Sequence, residues 1–222
     1  MFKDIPEELR IHAPFTAFGT LTGIGIMAVI IYADVPQSTS TTLFWMFHPA
    51  HVLLSALVTA SMFRLHGAPG IGPTLLIGYV GSVGIATLSD SVIPYLAEYL
   101  LGLPNRGIHL GFIEKWWLVN PLALAGIALA WFRPRTKFPH AGHVLLSTWA
   151  SLFHMTMAMG EHMDVLTACI IAVFLFIAVW VPCCTSDIVF PLLFAAGPRR
   201  AARGDRDQGT FDRFAHRGKQ PS

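Results

Sequence analysis

Six apolar stretches divide the chain, at residues 16–33, 41–63, 71–97, 116–132, 140–160 and 165–196, each free or nearly free of Asp, Glu, Lys and Arg. About 20 apolar residues in a helix cross the hydrocarbon core of a bilayer. The pattern therefore predicts an all-α polytopic membrane protein with six transmembrane helices. The third and last stretches are long enough to tilt or break, and Pro94 and Pro191 mark where.

The polar residues that interrupt these stretches repeat. His48-Pro49-Ala50-His51-Val52-Leu53-Leu54-Ser55 returns as His140-Ala141-Gly142-His143-Val144-Leu145-Leu146-Ser147. Leu88-Ser89-Asp90-Ser91-Val92-Ile93-Pro94 returns as Thr185-Ser186-Asp187-Ile188-Val189-Phe190-Pro191, and Ile-His-x-x-Phe opens each copy at His12 and at His109. Order is kept, as an internal duplication requires. Each copy holds three spans, an odd number, so the second enters the membrane in the opposite sense. The expected organisation is a first three-helix repeat over 1–101, an inverted three-helix repeat over 102–197, and a basic, disordered cytoplasmic tail over 198–222.

Composition strengthens the membrane reading: 54% of residues are hydrophobic and only 13% charged. The net charge of +2 is unevenly placed, because seven Lys or Arg against three Asp lie between Pro198 and Ser222. Positive charge favours the cytoplasmic side. This puts both termini in the cytoplasm, together with the loop carrying Arg133, Arg135 and Lys137. The charged start, Met1 to Glu8, lacks the basic opening of a secretory signal, so the first span is expected to stay in the membrane as an anchor. The tail reads as a retention signal rather than a nucleic-acid contact. The partners expected are the lipid bilayer and a metal ion, with assembly into a homo-oligomer or membrane complex left open.

What recurs most clearly is ionisable chemistry inside apolar helices, where such groups are costly and usually functional. Histidines three apart share a helix face, so His48 with His51, and His140 with His143, aim two imidazoles at one point. An Asp from a neighbouring helix and one further His complete a four-ligand set suited to zinc or another first-row metal. Inverted topology assigns His48, His51, Asp90 and His109 to a cluster near the outer face. His12, His140, His143 and Asp187 form its counterpart near the inner face. Ser89 and Ser186 stand beside the acids as residues that orient them.

A softer set lies nearby. His154, Met155, Met159 and His162 crowd the end of the fifth stretch, and Cys183 lies four residues before Asp187. Thioether, thiol and imidazole together suit copper(I), although Met is also a common filler of apolar cores. Nucleophile elbow, phosphate-binding loop, metalloprotease and zinc-finger spacings do not occur in the sequence. The leading expectation is transport or transfer of a transition metal, zinc or copper. The alternatives are a membrane metalloenzyme acting on a lipid-soluble substrate and a proton-relay subunit linked to haem or quinone. For a haem, one His of each pair would be superfluous.

Overall fold

The computed structural model describes residues 5–33, 35–66, 70–134, 137–159, 165–184 and 189–195, and among these residues every regular element is helical. In chain order the helices are α1 (Ile5–Tyr32), α2 (Gln37–His66), α3 (Ile71–Leu100), α4 (Gly111–Glu114), α5 (Trp116–Phe132), α6 (Lys137–Ala158), α7 (Val165–Cys184) and α8 (Phe190–Ala195). Each apolar stretch of the sequence thus coincides with a helix. Three are long and apolar enough to cross a membrane: α2, α3 and, in α7, Leu166–Cys183.

Of the six spans expected, these three meet both length and hydropathy among the described residues. Helix α5 has 17 residues, and the run of α1 whose side chains are described, Thr16–Ile30, is apolar overall. α6 is diluted by three histidines and a file of serines and threonines, so its length is not matched by its hydropathy. The predicted tail over 198–222 lies outside the described residues.

Helix α2 is the axis of the bundle, packing most extensively on α6 and α5. It runs antiparallel to α6: Gln37 Nε2 donates to the Met157 carbonyl at one end, and Leu54 lies beside Gly142 at the other. Small residues permit close approach. A Cβ on Gly126 of α5 would strike the Leu53 carbonyl and lie 2.9 Å from Ala56 Cβ, and one on Gly19 of α1 would lie 2.9 Å from Thr148 Oγ1. At the far end of α2, Arg64 Nη1 donates to the Ala130 carbonyl at 2.9 Å and to that of Trp131, while its guanidinium lies 4.3 Å from the centre of the Trp131 ring. The last carbonyls of α5, which have no partner within their own helix, are capped in this way.

The surface exposes many large apolar side chains, and the interior holds polar and ionisable residues among apolar ones. Phe18, Leu21, Leu76, Leu129 and Val173 are exposed, while Ser55, Ser89, Asp90, Glu98, His143 and His154 are buried. This is the reverse of a water-soluble globule, and suits a chain whose outside meets lipid. Many interior hydroxyls are satisfied within their own helix: Ser82, Thr87 and Thr148 donate to the carbonyls of Gly78, Val83 and Val144, four residues back.

Helix α3 is not a regular α-helix throughout. Two π-turns, Val80–Gly84 and Leu88–Val92, widen it, and the Ile93 N–H bonds to the Leu88 carbonyl five residues back. Sequence marked Pro94 as a break. Instead the π-turn absorbs the proline, the helix continues to Leu100, and the extra residue rotates Ser89, Asp90 and Ser91 into the interior.

Gly126→Val should separate α2 from α5 and lower stability by about 1–3 kcal/mol through overpacking. Gly25→Ala, where an added methyl meets open space, should leave the unfolding midpoint in detergent unchanged.

Candidate metal centre

Asp90 organises the interior. Its Oδ2 accepts His48 Nδ1 at 2.9 Å and His51 Nδ1 at 2.7 Å, and its Oδ1 accepts the hydroxyls of Ser89 at 2.7 Å and Ser147 at 2.8 Å. Ser151 donates to the Ser89 carbonyl at 3.0 Å and so ties α6 to the same π-turn. All three ionisable residues are buried. A carboxylate only accepts, so both imidazoles donate from Nδ1, which leaves each Nε2 as the lone-pair nitrogen when the ring is neutral. That is the tautomer a metal ligand needs.

With four donors on two oxygens, Asp90 orients the histidines rather than standing as a ligand itself, a change from the role expected of it. The His pair on α2 then separates. His48 stacks on Phe44, with ring centroids 5.4 Å apart and planes 11° from parallel. Its Nε2 is buried without a hydrogen-bond partner among the described residues, against Gly111, where a Cβ would collide with the ring. His51 points across to α6 and stacks on His143 at 5.6 Å.

One ligand atom from each of His51, His143 and Cys183 forms a group whose members lie within 4.8 Å of one another, all three residues buried. In a tetrahedral centre with bonds of about 2.0 Å to nitrogen and 2.3 Å to sulfur, ligand atoms stand roughly 3.5 Å apart. Closure therefore needs movements of about 1 Å, within the reach of side-chain rotation. Two imidazoles and a thiolate suit zinc or copper far better than calcium or magnesium, which take oxygen ligands.

The expectation of two clusters a membrane's width apart is corrected by this contact: His51 and His143, assigned to opposite faces, meet. His51 is halfway along the 30 residues of α2, so its pair reaches the middle of the bundle rather than one surface. His109 does not join His48 and His51. Its Nδ1 lies 3.2 Å from Glu114 Oε2 near the surface, although its ring remains within 6 Å of that of Phe44. His12 and His140 lie on α1 and α6, but their side chains fall outside the described residues, as do Asp187, Ser186 and His162 entirely.

The softer set divides. Met155 and Met159 are buried in an apolar cluster with Met27, Ala97 and Leu103, where they serve as packing. His154 is buried too, with Nδ1 2.6 Å from Glu98 Oε1. Glu98 was missed by sequence reading, which had no pattern to separate it from an interfacial acid. Its nearness to Pro94 at the end of the third stretch gave no hint that the π-turn would redirect this face inward. Cys183, expected as a soft ligand on the face of Asp187, lies with His51 and His143, while Asp187 is outside the described residues.

Asp90→Ala leaves two imidazole N–H groups and two hydroxyls without their acceptor and should destabilise the protein by about 3–5 kcal/mol. Ser147→Ala, which removes one neutral donor, should cost about 1 kcal/mol. Denaturant unfolding in detergent checks both, and equal losses would contradict the central role given to Asp90. Compared with protein-family models, curated proteins and solved structures, the chain matches none of them.

Proposed function

We propose that the protein is an integral membrane carrier of a divalent transition metal, zinc before copper, and that the ion is held by His51, His143 and Cys183. The observation that carries this reading is the convergence of those three ligand atoms at the middle of α2, with one imidazole already fixed in its binding tautomer by Asp90. Carriers built from inverted repeats hold their cargo near the midplane, where the two halves meet. Here the first half supplies His51 and the second His143 and Cys183.

Contacts between equivalent positions favour the six-span, inverted-repeat arrangement. His51 and His143 occupy the same place in the duplicated sequence and touch each other, as residues on a twofold axis do. Ala56 and Thr148 are likewise equivalent; the first meets Gly126 of α5 and the second Gly19 of α1. On this reading α1, α5 and α6 cross with the three clearer spans, both termini face the cytoplasm, and Gly19 corresponds to Gly126. The likeness of His12 to His109 then falls outside the repeat. The same geometry disfavours haem, since Gly111 closes off His48 Nε2 and the ligand atoms of His51, His143 and Cys183 stand too close together to admit a porphyrin.

Three protein ligands leave a fourth position, which supports a second reading as a metalloenzyme activating water. Uptake of zinc into proteoliposomes separates the two. A carrier accumulates the ion, and binding without flux selects the enzyme.

The purified protein should bind one equivalent of zinc, and His51→Ala, His143→Ala or Cys183→Ser should each abolish tight binding. Asp90→Asn should weaken it about 10–100-fold, because it removes only the orienting partner. Loading should fall as the solution is acidified, because imidazole and thiol must be deprotonated to bind. Full occupancy after all three ligands are replaced contradicts the assignment. Metal analysis and competition with a chromophoric chelator provide these measurements.

A further inference from the structure

Glu98 and His154 form a second buried ionisable pair that the metal centre does not use. Both are excluded from solvent, and Glu98 Oε1 lies 2.6 Å from His154 Nδ1. The Gly107 N–H approaches the other carboxyl oxygen at 3.3 Å. On its far side His154 Nε2 lies 3.3 Å from Ser91 Oγ. That hydroxyl donates its single proton to the His109 carbonyl at 2.6 Å and accepts the His109 N–H at 3.0 Å.

Protons can be counted from these bonds. The Ser91 proton is committed to a carbonyl, so His154 must meet Ser91 with an N–H on Nε2. Nδ1 then either donates to a carboxylate or accepts from a carboxylic acid. Both forms contain the same number of protons and both leave the pair neutral, the state a low-dielectric interior favours. Removing one proton leaves a net negative charge on the pair.

We infer that the Glu98–His154 pair carries one exchangeable proton that leaves when a divalent metal binds, making the protein a metal–proton exchanger. This rests on the reading of His51, His143 and Cys183 as the metal centre. Phe44 lies between His154 and His48, its ring 5.4 Å from each, and His48 shares the Asp90 carboxylate with the ligand His51. The charge of an arriving ion is felt along this buried path, where little solvent screens it. Binding M²⁺ releases one proton from the Cys183 thiol as the thiolate forms and a second from the Glu98–His154 pair. Two positive charges enter, two leave, and the interior keeps the charge it had.

The other charged or titratable groups around the pair are few. Asp90 and His48 lie behind Phe44 and are occupied with each other. The His109 ring meets the His154 ring edge-on at 5.3 Å and pairs on the surface side with the half-exposed Glu114. From residue 13 to 32 in α1, and along α7, the sequence contains no Asp, Glu, His, Lys or Arg.

Titrating the detergent-solubilised full chain with zinc in weak buffer, at a pH where free imidazole is neutral, reads the protons released per ion bound. Wild type should release about two, and Glu98→Gln, which retains the bonds to His154 and Gly107, about one, with zinc stoichiometry still one. One proton per ion in wild type, or two in Glu98→Gln, overturns the exchange proposal while the metal centre stands. Absence of bound zinc in wild type overturns the metal centre and the exchange with it. The wild-type number decides even if the Gln variant fails to fold.

Discussion

The interior of this bundle depends on one buried carboxylate. Asp90 draws two histidines from α2 and one serine from α6 onto an oxygen pair presented by α3, together with its neighbour Ser89. An aspartate without partners in such a place would be strongly unfavourable, and so would the two imidazole N–H groups it satisfies. Each group stabilises the others, and the three helices are locked in one register. In lipid, where helices gain nothing from hiding apolar surface from water, such bonds together with close packing at Gly19, Gly78 and Gly126 supply the specificity of assembly.

That same arrangement prepares chemistry. By accepting from both Nδ1 N–H groups, Asp90 leaves the Nε2 lone pairs free of protons, and it is the direction of each ring that decides what they meet. His48 is turned into an aromatic wall against Gly111, whereas His51 reaches the partner helix and meets His143 and Cys183. The π-turn at Leu88–Val92 serves both sites. It turns Asp90 toward α2 and Ser91 toward His154, so one local widening of α3 feeds the candidate metal centre and the Glu98–His154 pair alike.

Helices and the residues worth attention were legible in the sequence; the way the residues group was not. Apolar runs predicted the long helices, since a continuous stretch long enough to span leaves a strong trace in the sequence. The doubled His and Asp words pointed to Asp90 with His48 and His51, which do contact one another. Placement by depth failed because it treated each helix as a ruler crossing straight from one face to the other. His51 sits at the middle of a 30-residue helix, and the antiparallel contact of α2 with α6 brings His143 to the same level. Glu98 was harder still, because its inward turn follows from a π-turn, which has no residue pattern of its own, whereas Cys183 stood out as a soft ligand and only its meeting with His51 was unforeseen.

The central claim, that one buried ion is shared by two imidazoles and one thiolate, is tested most directly by X-ray absorption at the zinc edge of the loaded protein. The account predicts one sulfur scatterer at about 2.3 Å and two imidazole nitrogens at about 2.0 Å. A spectrum with oxygen and nitrogen neighbours alone, unchanged in Cys183→Ser, would contradict it.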